Sequence, residues 1–204
     1  MFRPLHQVRT ALLGGAVLTL LAAAPSPVAA AAATPPRELT DSTQYTVRHA
    51  PSDDRMVPSG WSKDATTVVS WGGYRPAGES ETWQLVPSGL TTVHDRTYAV
   101  DQIRNATGHD QCLEIDDSVA HSLLYQRPCS VNNPAQKWIL VPSPTTTDAY
   151  RIVPLNNPDL AVAPQHPTSH WSYLWLEQPG ENADWFFDYY PAAAAPRLTT
   201  PRAG

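Results

Sequence analysis

The sequence has 204 residues, the length of one ordinary domain with tails. Its 21 prolines argue against a helical bundle, because proline clashes inside helices, and its seven tryptophans and eight tyrosines argue against disorder. The net charge of −5 argues against nucleic acid or an anionic membrane surface as the main partner.

Both ends of the chain differ in composition from the middle. Two arginines precede an apolar run at 11–24, and small residues follow it. This pattern is typical of a secretory signal peptide, and the run is too short for a spanning helix, although an uncleaved anchor is the alternative. We therefore expect residues 1–33 to be cleaved, 34–42 to be a linker and 192–204 to be a disordered tail. The protein is then secreted, with no membrane contact after cleavage.

The central part, 43–191, contains three similar units of about fifty residues. Self-similarity at a fixed period indicates one supersecondary unit used several times. Each unit opens with a tyrosine and closes with a tryptophan: Tyr45 and Trp83, Tyr98 and Trp138, Tyr150 and Trp185. We expect the repeats at about 44–96, 97–148 and 149–191, with the closing tryptophans in a shared core.

Each unit holds four short stretches rich in apolar or aromatic residues and bounded by Asn, Gly, Asp or Pro, which predicts four strands. No sustained helical period occurs outside the signal segment. The domain is therefore all-β, and three four-stranded units fit a closed three-fold barrel, because an open array would leave unpaired edges. The predicted strands are 44–49, 55–57, 66–71, 82–86, 98–103, 111–116, 122–127, 136–141, 150–153, 160–163, 172–176 and 184–189.

Two cysteines, Cys112 and Cys129, lie 17 positions apart. In an exported protein disulfides persist, and a bridge here would close a loop of intermediate size. The alternatives are two free thiols and a metal site, which lacks cysteine and histidine partners at ligand spacing. We favour the disulfide, and we expect neither a bound metal nor a cofactor.

The middle unit carries three motifs in order. Gln-Cys-Leu-Glu-Ile begins at position 111, a second strand leads to Cys129, and Gln136-Lys137-Trp138 closes the unit. This order resembles the repeat of the ricin B-type β-trefoil lectins, which show Cys-Leu-Asp-Val, a strand ending in Cys, and Gln-x-Trp. The resemblance implies a β-trefoil of six barrel strands and six cap strands, a disulfide within the repeat, and shallow sugar sites, one possible per repeat.

A sugar site needs an acceptor for hydroxyls, an aromatic face and an amide. By the resemblance, Glu114 stands where the family has aspartate, and Gln136 supplies the amide. Arg127 stands at the place of the stacking aromatic, with Tyr125 two positions earlier. The middle unit is therefore the best candidate for a sugar site.

The other two units match less well. In the first unit Trp71 is spaced to serve as the stacking ring, but Glu81 replaces the glutamine. In the third unit Ala161 stands at the expected aspartate position and Ala183 replaces the glutamine. The resemblance therefore implies a doubtful first site and a lost third site.

These residues also have structural interpretations. Glu114 fits a solvated strand carboxylate, and Gln136 fits a support for the backbone of the repeat. Tyr125 and Trp71 fit packing within the cap equally well. Asn133 fits a turn.

No catalytic motif is evident in the sequence, which contains neither Gly-x-Ser-x-Gly nor His-Glu-x-x-His. His166 and His170 are four apart, but Pro167 excludes the regular helix that would align them. The acidic pairs at 53–54 and 116–117 are adjacent, whereas glycoside hydrolysis needs two carboxyls across a cleft. We therefore predict a protein that is not an enzyme.

Two functions are consistent with these observations. The first is a secreted, lectin-like trefoil that binds glycans or polysaccharide weakly, mainly through the middle repeat. The second is a trefoil scaffold whose sugar sites have decayed and which acts in protein interaction or protease inhibition, for example through the loop at 166–169.

Overall fold

The computed structural model describes most of the central region and leaves both ends outside. The described residues are 39, 43–59, 67–73, 81–106 and 110–190. The predicted signal peptide at 1–33 and tail at 192–204 lie outside the described residues, as does the linker at 34–42 apart from Leu39. Within the described ranges, no helix has the length and apolar character needed to cross a membrane.

Twelve strands form the described part of the chain, which confirms the predicted all-β class. The first repeat forms β1 (Gln44–His49), β2 (Arg55–Pro58), β3 (Val68–Trp71) and β4 (Thr82–Val93). The second forms β5 (Arg96–Asn105), β6 (Gln111–Ile115), β7 (Leu124–Pro128) and β8 (Trp138–Pro142). The third forms β9 (Ala149–Pro154), β10 (Ala161–Pro164), β11 (Trp171–Glu177) and β12 (Asp184–Tyr189).

The first and fourth strands of every repeat form a closed antiparallel barrel. The pairing runs β1–β4–β5–β8–β9–β12 and returns from β12 to β1. Closure leaves no unpaired edge in the barrel. The remaining strands form three hairpins, β2–β3, β6–β7 and β10–β11. Pairing of β3 with β11 and the bridges Thr67–Tyr125 and Leu123–Trp175 join these hairpins into a cap. Three repeats arranged in this way are the predicted β-trefoil.

The three closing tryptophans hold the barrel to the cap. Trp83, Trp138 and Trp185 are completely buried, as predicted. Each indole Nε1 donates to a carbonyl oxygen of a cap hairpin: Met56 at 2.9 Å, Leu113 at 3.0 Å and Val162 at 2.8 Å. The apolar rings fill the core while their only polar atom is satisfied, so these contacts also define equivalent positions in the three repeats.

The hairpin of β4 and β5 is longer than predicted. Its strands pair as far as Val93 and Arg96, so that only His94 and Asp95 form the turn. Both turn residues have positive φ, 47° and 62°, the conformation of the tight turns that match strand twist. A bulge at Gly89, with φ of 138°, lets the hairpin continue past Pro87.

The fourth strand of the middle repeat begins later than predicted. The chain forms a short 3-10 helix at Pro134–Gln136 before β8 begins at Trp138. Proline suits the start of a helical turn, and the Asn133 side chain accepts a hydrogen bond from the backbone N–H of Ala135 at 3.0 Å. The turn directs Gln136 inward, where it is completely buried.

Candidate functional site

The tryptophan contacts show which residues are equivalent between repeats. Because Leu113, Met56 and Val162 accept the same indole bond, the residues that follow them, Glu114, Val57 and Ala163, occupy the same position. The position equivalent to Glu114 in the third repeat is therefore Ala163, and the assignment of Ala161 was wrong by two residues. A shift of two residues keeps a side chain on the same face of a strand, so the sequence pattern did not distinguish Ala161 from Ala163.

Glu114 lies in a network of three side-chain donors. Strand β6 places it opposite Tyr125 on β7. Its Oε1 accepts from Arg127 Nη1 at 2.7 Å, and its Oε2 accepts from Asn133 Nδ2 at 2.9 Å and Gln136 Nε2 at 2.7 Å. The residue is only 7% exposed, so its interpretation as a solvated carboxylate is wrong. Burial with three donors makes Glu114 the organising group of this network.

Arg127 covers the network on its outer side. One nitrogen bonds Glu114, and Nη2 donates to Asp116 Oδ1 at 2.6 Å. The guanidinium carbon lies 4.9 Å from the centre of the Tyr125 ring, a cation–π contact. Burial lowers the pKa of Arg127, but the hydrogen bonds and charges of Asp116 and Glu114 outweigh burial and raise it. The Arg127 guanidinium therefore stays protonated, and the side chain that carries it is 40% exposed.

Gln136 has every polar atom engaged inside the repeat. Its Oε1 accepts from the backbone N–H of Ser130 at 2.8 Å and from Gln102 Nε2 at 3.0 Å. Its Nε2 donates to Glu114 and to the carbonyl oxygen of Pro128 at 2.9 Å. These contacts agree with the structural interpretation, in which the glutamine supports the backbone and orients Glu114.

The predicted disulfide joins β6 to the segment after β7. Cys112 and Cys129 are bonded, with an S–S distance of 2.05 Å and Cα atoms 4.9 Å apart. In the first repeat Arg55 and Gly73 stand at the equivalent places, since Trp71 pairs with Arg55 as Arg127 pairs with Cys112. There Arg55 Nη2 donates to the carbonyl oxygen of Gly73 at 3.1 Å, so a hydrogen bond replaces the covalent link.

Trp71 lies in the first repeat, on the β2–β3 hairpin, whereas the other four predicted site residues lie in the middle repeat. Its ring lies 5.5 Å from the guanidinium carbon of Arg55. Gly73 approaches the ring so closely that an added Cβ would lie 1.5 Å from Cη2 of Trp71. Arg55 also pairs with the fully buried Glu81 at 3.0 Å. The ring is thus packed between its neighbours, which agrees with the structural interpretation of Trp71.

The third repeat is apolar where the middle repeat is polar. Ala161, Ala163 and Ala183 are all completely buried and belong to one cluster with Ile139 and Val153. Ala163 replaces Glu114, and Ala183 replaces Gln136. Packed methyl groups offer neither acceptor nor amide to a sugar hydroxyl.

Sequence reasoning treated Asp116 only as part of an adjacent acidic pair and assigned Asn133 to a turn. Asp116 lies two residues after Glu114, and its side chain is 50% exposed beside Arg127. The alternation of side chains along a strand places positions 114 and 116 on one face, and this signal would have identified Asp116. Asn133 caps the 3-10 helix and also donates to Glu114, a role that only the tertiary contact reveals.

The two histidines that are four positions apart, His166 and His170, each have hydrogen-bond partners within the protein. His170 Nδ1 lies 3.4 Å from Asp54 Oδ1, and the backbone N–H of His166 donates to Ser172 Oγ at 2.8 Å. Among the residues that the structure describes, no group of three His, Cys, Asp or Glu side chains is placed to hold a metal ion.

Comparison with known proteins shows the fold. No protein-family model matches the chain, and no curated protein matches it in sequence. A designed three-fold symmetric protein, ThreeFoil, is similar with a TM-score of 0.58 and 16% identity over 72% of this chain and 99% of that one.

Two lectin structures are also similar to this chain in fold. The ricin B-like lectin of Macrolepiota procera, solved with lactose, has a TM-score of 0.58 and 12% identity over 76% of this chain and 100% of the lectin. The C-terminal half of the earthworm R-type lectin, solved with GalNAc, has a TM-score of 0.52 and 14% identity over 72% of this chain and 99% of the lectin. The chain therefore has the β-trefoil fold that these structures share.

Proposed function

We propose that this protein is a non-catalytic, carbohydrate-binding trefoil whose binding is centred on the middle repeat. The observation that carries the proposal is the cluster of Arg127, Asp116 and Glu114 beside the ring of Tyr125. It supplies a charged donor, an exposed charged acceptor and an aromatic ring at one place. Hydrogen bonds in which one partner is charged are the stronger ones.

The exposed members of the cluster are the ones that meet the sugar. A carboxylate offers about four acceptor positions, and Glu114 already receives three bonds. The side chains of Arg127 and Asp116 are 40% and 50% exposed, so a ligand can reach both. Neighbouring hydroxyls of one sugar would bond Arg127 and Asp116, while Glu114 acts as a positioning residue that holds the guanidinium.

The fold supports this assignment by analogy. The Macrolepiota procera lectin was solved with lactose and the earthworm lectin with GalNAc, and both share this trefoil. Glycans are therefore the class of partner that we propose. A single shallow site gives a dissociation constant on the order of millimolar, near −4 kcal/mol, and useful avidity then needs several contacts.

The same cluster argues for binding without catalysis. Glycoside hydrolysis uses two carboxyls with separate roles on opposite sides of the scissile bond. Here one guanidinium engages both Glu114 and Asp116. The two carboxylates therefore share one cation, whereas an acid and a nucleophile or base need separate environments.

The test is calorimetric titration with galactose-, mannose- and xylose-based glycans. Arg127→Ala removes the exposed donor and should abolish binding of the glycan that the parent binds. Arg48 offers a matched control, because it also lies over an aromatic ring, Phe186 at 4.7 Å, and pairs with Asp53 and Asp188. Arg48→Ala should bind as the parent does.

Two results would contradict the proposal. If Arg127→Ala binds as strongly as the parent, the middle repeat is not the site. If the parent binds none of these glycans, the scaffold function in protein interaction or protease inhibition becomes the better explanation.

We also propose that the protein acts outside the cell. The signal-like segment at 1–33 supports export, and the Cys112–Cys129 disulfide suits an oxidising compartment. N-terminal sequencing of the protein recovered from the culture medium tests this, since export predicts a chain that begins near residue 34.

A further inference from the structure

Strand β11 presents a second feature of the cap surface, apart from the middle repeat. Its inward side chains are at most 1% exposed: Ser172, Leu174 and Leu176. Its outward side chains include Trp171 and Tyr173, which are 46% and 39% exposed. Alternation along the strand therefore places two large aromatic rings on the outer face.

The two rings are held in place by the sheet. The segment 171–173, which carries the rings, pairs with β3, and the following residues 174–177 pair with β10, so the whole strand is fixed in the cap. The rings of Trp171 and Tyr173 contact each other edge to face, with centroids 4.8 Å apart and planes at 70°. Aromatic rings fixed on a regular element form a contact surface that loses little conformational entropy on binding.

The composition of the segment that carries these rings is the second observation. The segment 165–176 contains no Asp, Glu, Lys or Arg, although the whole chain carries a net charge of −5. Its polar side chains carry amide, hydroxyl and imidazole groups, which all form hydrogen bonds. In the neighbouring first repeat, the charged side chains of Arg55 beside Trp71 and Asp54 beside His170 are only 12% and 2% exposed, so a neutral ligand is favoured over an acidic or basic one.

The area of the two exposed rings favours a sugar over a protein as the ligand. A stable protein interface takes about 800 Å² from each partner, typically from twenty or more residues. Two aromatic side chains provide only a fraction of that area, but they match the apolar face of one or two sugar rings. The polar handles of Trp and Tyr at the rim suit the hydroxyls that surround such a face.

We propose that Trp171 and Tyr173 form a second glycan contact, which binds the apolar faces of a neutral polysaccharide. This contact belongs to the third repeat, whose position equivalent to Glu114 is alanine, and it does not use the acid–amide network. The second contact rests on the proposed function only because both assume that the ligand is a glycan. A neutral polysaccharide long enough to touch both places would gain affinity through effective concentration.

The experiment is affinity electrophoresis of the full chain in gels that contain galactan, galactomannan or xylan, with polygalacturonate as a charged polymer. Trp171→Ala combined with Tyr173→Ala should weaken retardation by a neutral polymer by about tenfold or more. Tyr189→Ala is the matched control, since Tyr189 is an aromatic residue, 57% exposed, on barrel strand β12. That control should be retarded like the parent. Trp171→Phe, which keeps an aromatic ring at this position, should retain part of the binding that the double variant loses.

The outcomes separate the two sites. Loss of retardation in the double variant, with binding kept in Arg127→Ala, supports the second contact and contradicts the middle site. Unchanged retardation in the double variant, with loss in Arg127→Ala, overturns the second contact alone. Retardation by polygalacturonate that depends on the two rings, or no retardation of the parent by any neutral polymer, also overturns it.

Discussion

The indole Nε1 of Trp138 donates to the carbonyl oxygen of Leu113 at 3.0 Å and so joins barrel strand β8 to cap strand β6. The same bond recurs from Trp83 and from Trp185. Each tryptophan therefore has two functions, as a core filler and as the donor that fixes its hairpin on the barrel.

Removal of one of these rings should destabilise the whole domain. Trp138 is completely buried, so we expect Trp138→Ala to lower the free energy of unfolding by roughly 3–5 kcal/mol. Trp138→Phe keeps most of the apolar contact but leaves the Leu113 carbonyl unsatisfied, and should cost about 1–3 kcal/mol. Urea unfolding measures both, and Trp171→Ala, at an exposed indole, should stay within about 0.5 kcal/mol of the parent. Equal midpoints for parent and Trp138→Ala would contradict the core assignment.

Loss of the disulfide should lower the free energy of unfolding by a similar amount. The bridge closes a loop across 17 positions. On the chain-entropy model, Cys112→Ala with Cys129→Ala should reduce stability by about 3 kcal/mol. The measurement is urea unfolding of this double variant against the oxidised parent. The reduced parent serves as the control and should unfold near the double variant, whereas a reduced parent that matches the oxidised one would count against the prediction.

Replacement of Glu114 should affect stability as well as binding. Glu114→Ala leaves Arg127, Asn133 and Gln136 each without one acceptor, so we expect a loss of about 1–3 kcal/mol. Thermal unfolding tests this, with Asp117→Ala at an exposed neighbour as the control within about 0.5 kcal/mol. An unchanged midpoint in Glu114→Ala would show that the network contributes nothing to folding. For this reason Arg127→Ala is the cleaner probe of sugar binding.

Stability should fall when the pH drops from about 7.5 to 5.5, because of His49. His49 is completely buried, and burial lowers its pKa in spite of the bond to Asn182 and the charges of Asp54 and Asp184. Since the Asn182 carbonyl can only accept, Nε2 carries the proton at 2.9 Å, and Nδ1 accepts from Ser52 Oγ at 2.7 Å. The neutral ring is thus the form that fits the fold.

The sign follows from proton binding. The unfolded histidine takes up a proton near pH 6.5, whereas the folded one does so only at lower pH. Acid therefore favours the unfolded state in this window. His49→Gln should unfold with a smaller pH dependence between 7.5 and 5.5, and the exposed His166→Gln should keep the parent's dependence. Identical slopes for parent and His49→Gln in urea titrations would refute the prediction.

The sequence by itself determined the repeat architecture. The closing tryptophans recur because each unit needs the same core contact, and short strands bounded by Pro, Gly, Asn and Asp follow from local backbone preferences. Tyr45 and Tyr150 pair with Trp83 and Trp185, but the equivalent place in the middle repeat, opposite Trp138, is held by Asp101, so the prediction of Tyr98 as the matching core residue was wrong. The twelve strands, the buried closing tryptophans and the pairing of Cys112 with Cys129 were all predictable in this way.

Only the tertiary structure decided what the candidate site residues contact. Whether Glu114 is solvated depends on where Arg127, Asn133 and Gln136 meet it, and these side chains come from 13 to 22 positions away. Strand alternation assigns a face to a residue but does not state which neighbours cover that face. The exposed pair on β11 shows the same limit. Trp171 and Trp185 are the same type of residue, and only tertiary packing buries Trp185 and leaves Trp171 at the surface.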